Sequence, residues 1–481
     1  MCDKVRRRTF LADVGLGFTG LALGSMFQRD SLAADTTPVE RGPHFVPRAK
    51  SVIWLFMTGG VSHMETFDPK PALTKFGGMS IDDTPCSGVL KDPRLNKNLR
   101  VVNARKKNWK TIYPLQVGVK QASSTGMLIS DQWPNLEKRL ADIAFVRGMW
   151  TTDDNHGAQL QFHTGRHMLD GMFPSIGSWV QYGLGSLNDN LPQFVVLGGP
   201  PLDRFGGNAC HRANYLGTEY DGVPIAIDPV NPLPFGQPGS DVSRQEQEAG
   251  IRLVGDLNRL ATVEYPEDGD LRARIKSYEL AFRMQRSMPG IFKFEEESAE
   301  TRELYGLDAA PTQEFGRMCL SARRLVERGV RFVQIYAGGG MGRWDTHGDS
   351  KKKLADNCLG ADRPIAGLLA DLSRRGLLDE TIVCFVTEFG RTPGGQGEKA
   401  TGREHHPYGF TVWLAGGGIK GGVVHGATDE IGFHAVEGRH YVTDIHATVL
   451  HLLGLDSRRL EFPGRRRLDV DHGEPIQEIL A

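Results

Sequence analysis

SVIWLFMTGGVSHMETFDPKP, residues Ser51 to Pro71, decides how this chain is read. Its apolar run lacks helical spacing and breaks at Thr58-Gly59-Gly60, the pattern of a buried strand released into a tight turn. The loop that follows carries His63, Glu65 and Asp68. In open α/β sheets, ligands collect just beyond the carboxyl ends of the strands. An imidazole and two carboxylates at such an end suit metal or acid–base chemistry. The plainer reading is a polar surface turn closed by Asp68-Pro69. The rest of the chain separates the two.

The same release recurs downstream. A strand over 330–336 runs into AGGGMGRWDTHGD, which places Asp345 and His347 two residues apart. A strand over 381–387 ends in TEFGRTP, with Glu388 and Arg391. GREHHP, with Arg403, Glu404, His405 and His406, precedes a strand over 409–414. Helical spacing is expected over 131–140, 155–164, 312–328, 359–375 and 442–453, and further strands over 143–146 and 191–197. Strands alternating with helices predict an α/β fold with a mostly parallel sheet covered on both faces. Parallel strands bring their ends to one rim, so these His and carboxylate residues are expected to meet there. Imidazole with carboxylate suits zinc, manganese or iron, and the carboxylate share also admits calcium or magnesium.

Between the strands, 198–239 is rich in Gly, Pro and Asp and reads as a loop excursion. Residues 243–292 are helical in pattern, with Ile251, Leu253, Val254, Leu257 and Leu260 able to line one face. They form a helical insertion at about 241–300 in a single domain running from 35 to 481.

The N-terminal 34 residues read as an export signal. Arg7 and Arg8 precede a modest apolar run, Val14 to Phe27, and Ser31-Leu32-Ala33 offers small cleavage-site residues. That run is short for a membrane span, so no stable membrane insertion is expected. Its removal takes five basic residues (Lys4, Arg6, Arg7, Arg8, Arg29) and three acidic ones (Asp3, Asp13, Asp30), leaving 52 basic and 55 acidic residues and a net charge of −3. The near-neutral balance gives no nucleic-acid footprint. Cys86, Cys210, Cys319, Cys358 and Cys384 remain, without CxxC spacing, and read as buried apolar residues with one disulfide left open.

Asp153-Asp154-Asn155-His156 stands at the expected start of the 155–164 helix, where free N–H groups welcome an anionic oxygen. The alternative makes Asp154 or Asn155 a simple N-cap.

GGVSHMETFDPKP, NHGAQLQFHTG, WDTH, TEFGRTP and GREHHP together resemble the bacterial family called domain of unknown function 1501, from about Ser51 to the C-terminus. That family is placed in the alkaline phosphatase superfamily and is often described as sulfatase-like. The resemblance implies a three-layer αβα sandwich and a divalent metal ion (zinc, manganese or calcium). It implies Glu65, with Asp68 or His63 as rivals, as one ligand. Asp345, His347, Glu388 and His406 or His405 would supply the others. It places the superfamily's Ser, Thr or Cys nucleophile at about Asn155, whose amide cannot form the usual covalent intermediate, and no Cys-x-Pro-x-Arg segment occurs. Where the superfamily commonly has Asp-His, this chain has Glu388-Phe389.

The expectation is therefore a periplasmic or secreted, metal-dependent hydrolase of sulfate or phosphate esters, acting on a small-molecule or polysaccharide ester. Asn155, His156 and Arg391 are its candidate catalytic residues. His156 would stand in for the missing nucleophile or act as leaving-group acid, and Arg391, with Arg403 or Arg166, would clamp the anion. Arg391 as a structural partner of Glu388 is the plainer reading. The alternative function is a non-catalytic, metal-containing binding protein that keeps the hydrolase fold.

Overall fold

β1 (Ser51–Phe56) is buried along its whole length, and parallel neighbours cover both of its edges. The structure, a computed structural model, describes residues 42–93, 110–228, 232, 243–264, 275, 280, 283–284, 287–338, 342–395 and 400–481. Residues 1–34, where an export signal is expected, and part of the 241–300 insertion lie outside the described residues.

β1 pairs with β7 (Phe332–Tyr336) on one side and β8 (Thr381–Val386) on the other, with Phe56 opposite both Tyr336 and Val386. The three strands thus end level. Beyond β7 come β5 (Phe194–Leu197) and β6 (Val223–Ile225), all parallel. Beyond β8 come β11 (Phe410–Ala415), β4 (Ile143–Trp150) and, at the edge, β12 (Val423–His425), with β15 (His440–Tyr441) also on β4. Among the described strands of this sheet, only β11 runs antiparallel to its neighbours. It follows β8 through the hairpin of β9 (Gly390–Gly395) and β10 (Arg403–His406), with no crossover helix to restore direction. Two further short pairs, β2 (Val119–Gln121) with β3 (Leu128–Ser130) and β13 (Ala427–Thr428) with β14 (Ala435–Glu437), lie off this sheet.

Side chains alternate along each strand, and the alternation builds two cores. Ile53 and Leu55 pack with Val333, Ile335, Val383 and Phe385 against the helices Ala299–Tyr305, Ala310–Glu327 and Ser350–Arg374. Val52, Trp54 and Phe56 face the opposite way, onto the helices Ala158–Thr164, Ile176–Leu184 and Val442–Leu452. Helix, sheet and helix make the expected three-layer α/β sandwich.

Several expectations are corrected. The 131–140 helix is instead a 3-10 segment at Leu136–Asp142, because Pro134 disfavours helix at the preceding residue and Asp362 accepts the N–H groups of Asn135 and Leu136. The helix expected from 359 begins nine residues earlier, at Ser350. The 198–239 excursion contains the unanticipated β6. In the helix Arg244–Glu264, Leu253, Leu257 and Leu260 are exposed rather than packed. Cys86, Cys210, Cys319, Cys358 and Cys384 are all buried and free.

Candidate metal centre

The level ends of β7, β1 and β8 bring three loops into contact. Gly59 is required there: it lies at φ +118°, and a Cβ would sit 2.4 Å from the Asp345 nitrogen. Trp344 N–H donates to the Thr58 carbonyl (3.0 Å), and Thr387 Oγ1 accepts the Val61 N–H (3.0 Å). Glu388 is fully buried and its Oε1 accepts the Gly59 N–H at 2.8 Å.

Asp345 is the hub. Its Oδ1 lies 3.0 Å from His347 Nε2 and 3.0 Å from His405 Nε2, and these two nitrogens are 2.8 Å apart. Its Oδ2 lies 3.2 Å from His156 Nε2, and His156 Nδ1 reaches Glu388 Oε1 at 3.1 Å. Glu404 Oε1 stands 3.6 Å from His347 Nδ1. Rings of Phe389 and Phe205 flank the imidazoles, with the Phe389 centroid 4.3 Å from that of His405.

Proton placement shows what the triangle can hold. His405 Nδ1 faces the Asp154 carbonyl at 2.9 Å, and a carbonyl only accepts, so Nδ1 carries the hydrogen. Burial, then the nearby Arg391 charge, hold the His405 pKa well below its ordinary value despite Asp345. The ring is therefore neutral, and its Nε2 lone pair faces a carboxylate oxygen. Burial would raise the Asp345 pKa, but the hydrogen bonds that His156 and His347 can donate and the charge of Arg391 hold it well below the usual range. Two acceptors face each other, and one proton on His347 Nε2 can serve only one of them at a time. A cation satisfies all three donors, so the residues fit a divalent ion. His156 differs. Burial opposes its charge, but hydrogen bonds to Asp345 and Glu388 outweigh that and raise its pKa to about 9.

The structure brings together Asp345, His347, His405, His156 and Glu388, with Asn155 beside His156. Asn155 Oδ1 accepts the His156 N–H at 2.8 Å, and Asp153 accepts the Asn155 N–H at 2.9 Å, so Asp153 closes this turn. It does not bring in Glu65 or His406. Glu65 receives Arg403 in a two-pronged ion pair (Nε to Oε1 2.8 Å, Nη2 to Oε1 2.6 Å) and also accepts from Ser62. His406 follows His405 on β10, so its side chain leaves the opposite face, stacks on Phe433 and meets His434. Of the rivals, His63 donates to the Gly432 carbonyl (2.8 Å), and Asp68 pairs with Lys70 (3.0 Å).

Among the arginines, Arg166 is held by Asp471, and Arg391 is fully buried. Arg391 donates to the carbonyls of Gly60 (2.8 Å), Gly59 and Trp344 (3.2 Å) and to Asp345 Oδ1 (2.9 Å), so its partner is Asp345 rather than Glu388. Sequence reasoning missed Glu404 as a neighbour of His347 and Phe389 as the shelf beneath His405. Strand alternation in GREHHP, taken as a hairpin arm, would have separated His405 from His406.

Residues 49–480 match the family described as "Protein of unknown function (DUF1501)". Similar solved structures include the PsFucS1 sulfatase from Pseudoalteromonas sp. (14% identity, 90% of this chain and 72% of that one, TM-score 0.38). Others are the lipoteichoic acid synthase LtaP from Listeria monocytogenes (8%, 90% and 80%, 0.36) and a protein in the alkaline phosphatase superfamily from Vibrio parahaemolyticus (11%, 97% and 79%, 0.34). No curated protein sequence matches the chain. No described helix is long and apolar enough to cross a membrane. With the match spanning nearly the whole sequence, the chain belongs to the DUF1501 family.

Proposed function

We propose that this chain is an exported, metal-dependent hydrolase of sulfate or phosphate esters that works without a Ser, Thr or Cys nucleophile. The supporting observation is the triangle of Asp345 Oδ1, His347 Nε2 and His405 Nε2, whose lone pairs converge within 3.0 Å of one another. These three residues would hold the ion, with Glu404 beside them. Two imidazoles and a carboxylate favour zinc or manganese over calcium. A divalent ion supplies Lewis-acid polarisation of an ester oxygen.

The chain's own residues do the rest. His156, with Nε2 3.2 Å from Asp345 Oδ2 and Nδ1 3.1 Å from Glu388 Oε1, is placed to hold or pass a proton at the rim beside an anionic ester. Arg391 is a positioning residue: it fixes Asp345 and ties that loop to Gly59 and Gly60. Phe389 and Phe205 shield His156 and His405 from water. Small-molecule or polysaccharide esters remain the substrate class. Export rests on Arg7 and Arg8, and an Arg7→Lys/Arg8→Lys precursor should stay in the cytoplasm.

One observation favours the second reading, a metal-containing binding protein. Asn155 occupies the position the resemblance assigns to the nucleophile, and its amide oxygen is engaged by its neighbour's N–H. The test is turnover. Chelator-treated protein reloaded with zinc or manganese should cleave a member of a 4-nitrophenyl and saccharide ester panel, and His405→Ala should lose both ion and turnover. Metal-loaded protein inert across that panel would transfer the case to the binding protein.

A further inference from the structure

A second set of donor atoms gathers at the far edge of the sheet, away from the loops described above. β12 and β15 both pair with β4, at Ala144–Val146 and Met149–Trp150, so they continue along the same edge. Between this edge and β1 lie β4, β11 and β8, four strand spacings or roughly 19 Å. His425 ends β12 and His440 begins β15. Their Nε2 atoms lie 2.8 Å apart, and Glu478, on the C-terminal turn Gln477–Ile479, places Oε2 3.8 Å from His425 Nε2.

The tautomer of His440 is settled by its partner. Its Nδ1 lies 3.0 Å from Asp444 Oδ2, and a carboxylate only accepts, so Nδ1 carries the hydrogen and, in the neutral ring, Nε2 presents a lone pair. Asp444 is itself held, since its Oδ1 accepts the Glu474 N–H at 3.0 Å. A carboxylate that orients one imidazole nitrogen so that the other is free to ligate is the usual outer shell of a bound transition metal.

We infer that His425, His440 and Glu478 form a zinc-type site, with Asp444 orienting His440, that clips the C-terminal turn to the sheet edge. Two nitrogens on one zinc sit roughly 3.3 Å apart, so the imidazoles must separate by about half an ångström and Glu478 must close by a similar amount. Glu478 is mostly exposed and able to swing. The three ligands come from three separate C-terminal segments, His425 and His440 fifteen residues apart and Glu478 on the last turn, so the ion would act chiefly as a staple, with a fourth position open to solvent.

The test is zinc content of the full chain after equilibrium dialysis, alongside an anomalous scattering map of the wild-type protein at the zinc edge. His425→Asn and His440→Asn should each lower bound zinc by one equivalent per chain, and Asp444→Asn should weaken it by about 10- to 100-fold. Ester turnover and far-ultraviolet dichroism should stay unchanged, which separates this site from the Asp345 cluster: loss there removes turnover, loss here does not. The wild-type map should show a peak between His425 and His440 whether or not the variants fold. Unaltered zinc content in both histidine variants, or a map without that peak, would reduce the feature to an Asp444–His440–His425 hydrogen-bond chain.

Discussion

Glu65 and Asp345 leave neighbouring loops at one rim of the sheet, both buried or nearly so, and end in opposite electrostatic states. Glu65 is closed: Arg403 presents its guanidinium fork and Ser62 adds a hydroxyl. Asp345 is open: one guanidinium N–H meets it, and three imidazole nitrogens surround what remains. The difference shows that a buried carboxylate is a candidate metal ligand only where neighbouring side chains leave lone pairs to offer, as His405 Nε2 does beside Asp345. Residue type did not distinguish the two, and partner chemistry did.

Removing the guanidinium from the closed site should have the largest effect. Arg403→Met leaves Glu65 buried and unpaired, and should lower unfolding free energy by about 3–5 kcal/mol. The double variant Glu65→Gln/Arg403→Met should regain most of that, because neither charge then remains. Urea unfolding of the two proteins decides it, and equal losses would mean that the pair is not acting as a pair.

The open site should respond in function rather than stability. Asp345→Asn keeps an acceptor for Arg391, whose other N–H groups already meet backbone carbonyls, so folding should survive. Metal content and ester turnover should both fall, the latter by about a hundredfold or more, beyond the usual loss from an outer-shell change. Retained metal with lost turnover would break the contrast, by making Asp345 a purely chemical group.

Histidines behind β1 sharpen the comparison from a third side, with the smallest effect at neutral pH. His163 and His446 donate to the Gln159 and Phe162 carbonyls (2.7 Å each), and burial pushes their pKa values down to about 3 and about 4. The folded protein keeps them neutral, while the unfolded chain takes up protons below about pH 6.5. Their contribution is thus complete above that pH and is lost as pH falls toward 4. Urea midpoints across this window should drop, and His446→Gln should flatten the slope. An unchanged slope would show that other groups govern acid stability.

Much of the fold was legible in advance. The apolar runs at 51–57, 330–336 and 381–387 appear as β1, β7 and β8, and the helices at 310–327 and 442–452 lie within two residues of their expected bounds. The misreadings share a cause, since long-range partners overrode local pattern. Asp362 took the N–H groups that a 131–140 helix would have used internally, and β9 and β10 paired where only a polar loop was expected. Within the candidate site, WDTH and TEFG pointed to Asp345, His347 and Glu388 because glycine-rich exits from apolar strands are visible in sequence. The division of labour within GREHHP was not visible: Arg403 neutralises Glu65, His405 joins Asp345, and His406 turns away to Phe433.

By itself, the sequence determined that parallel strands would deliver histidines and carboxylates to one rim, because strand period, glycine breaks and residue type are local properties. Which carboxylate was closed by a guanidinium fork and which was left largely to imidazole nitrogens was decided only by tertiary structure. Charge compensation depends on distances between segments hundreds of residues apart, such as Glu65 and Arg403, and no local pattern encodes those distances.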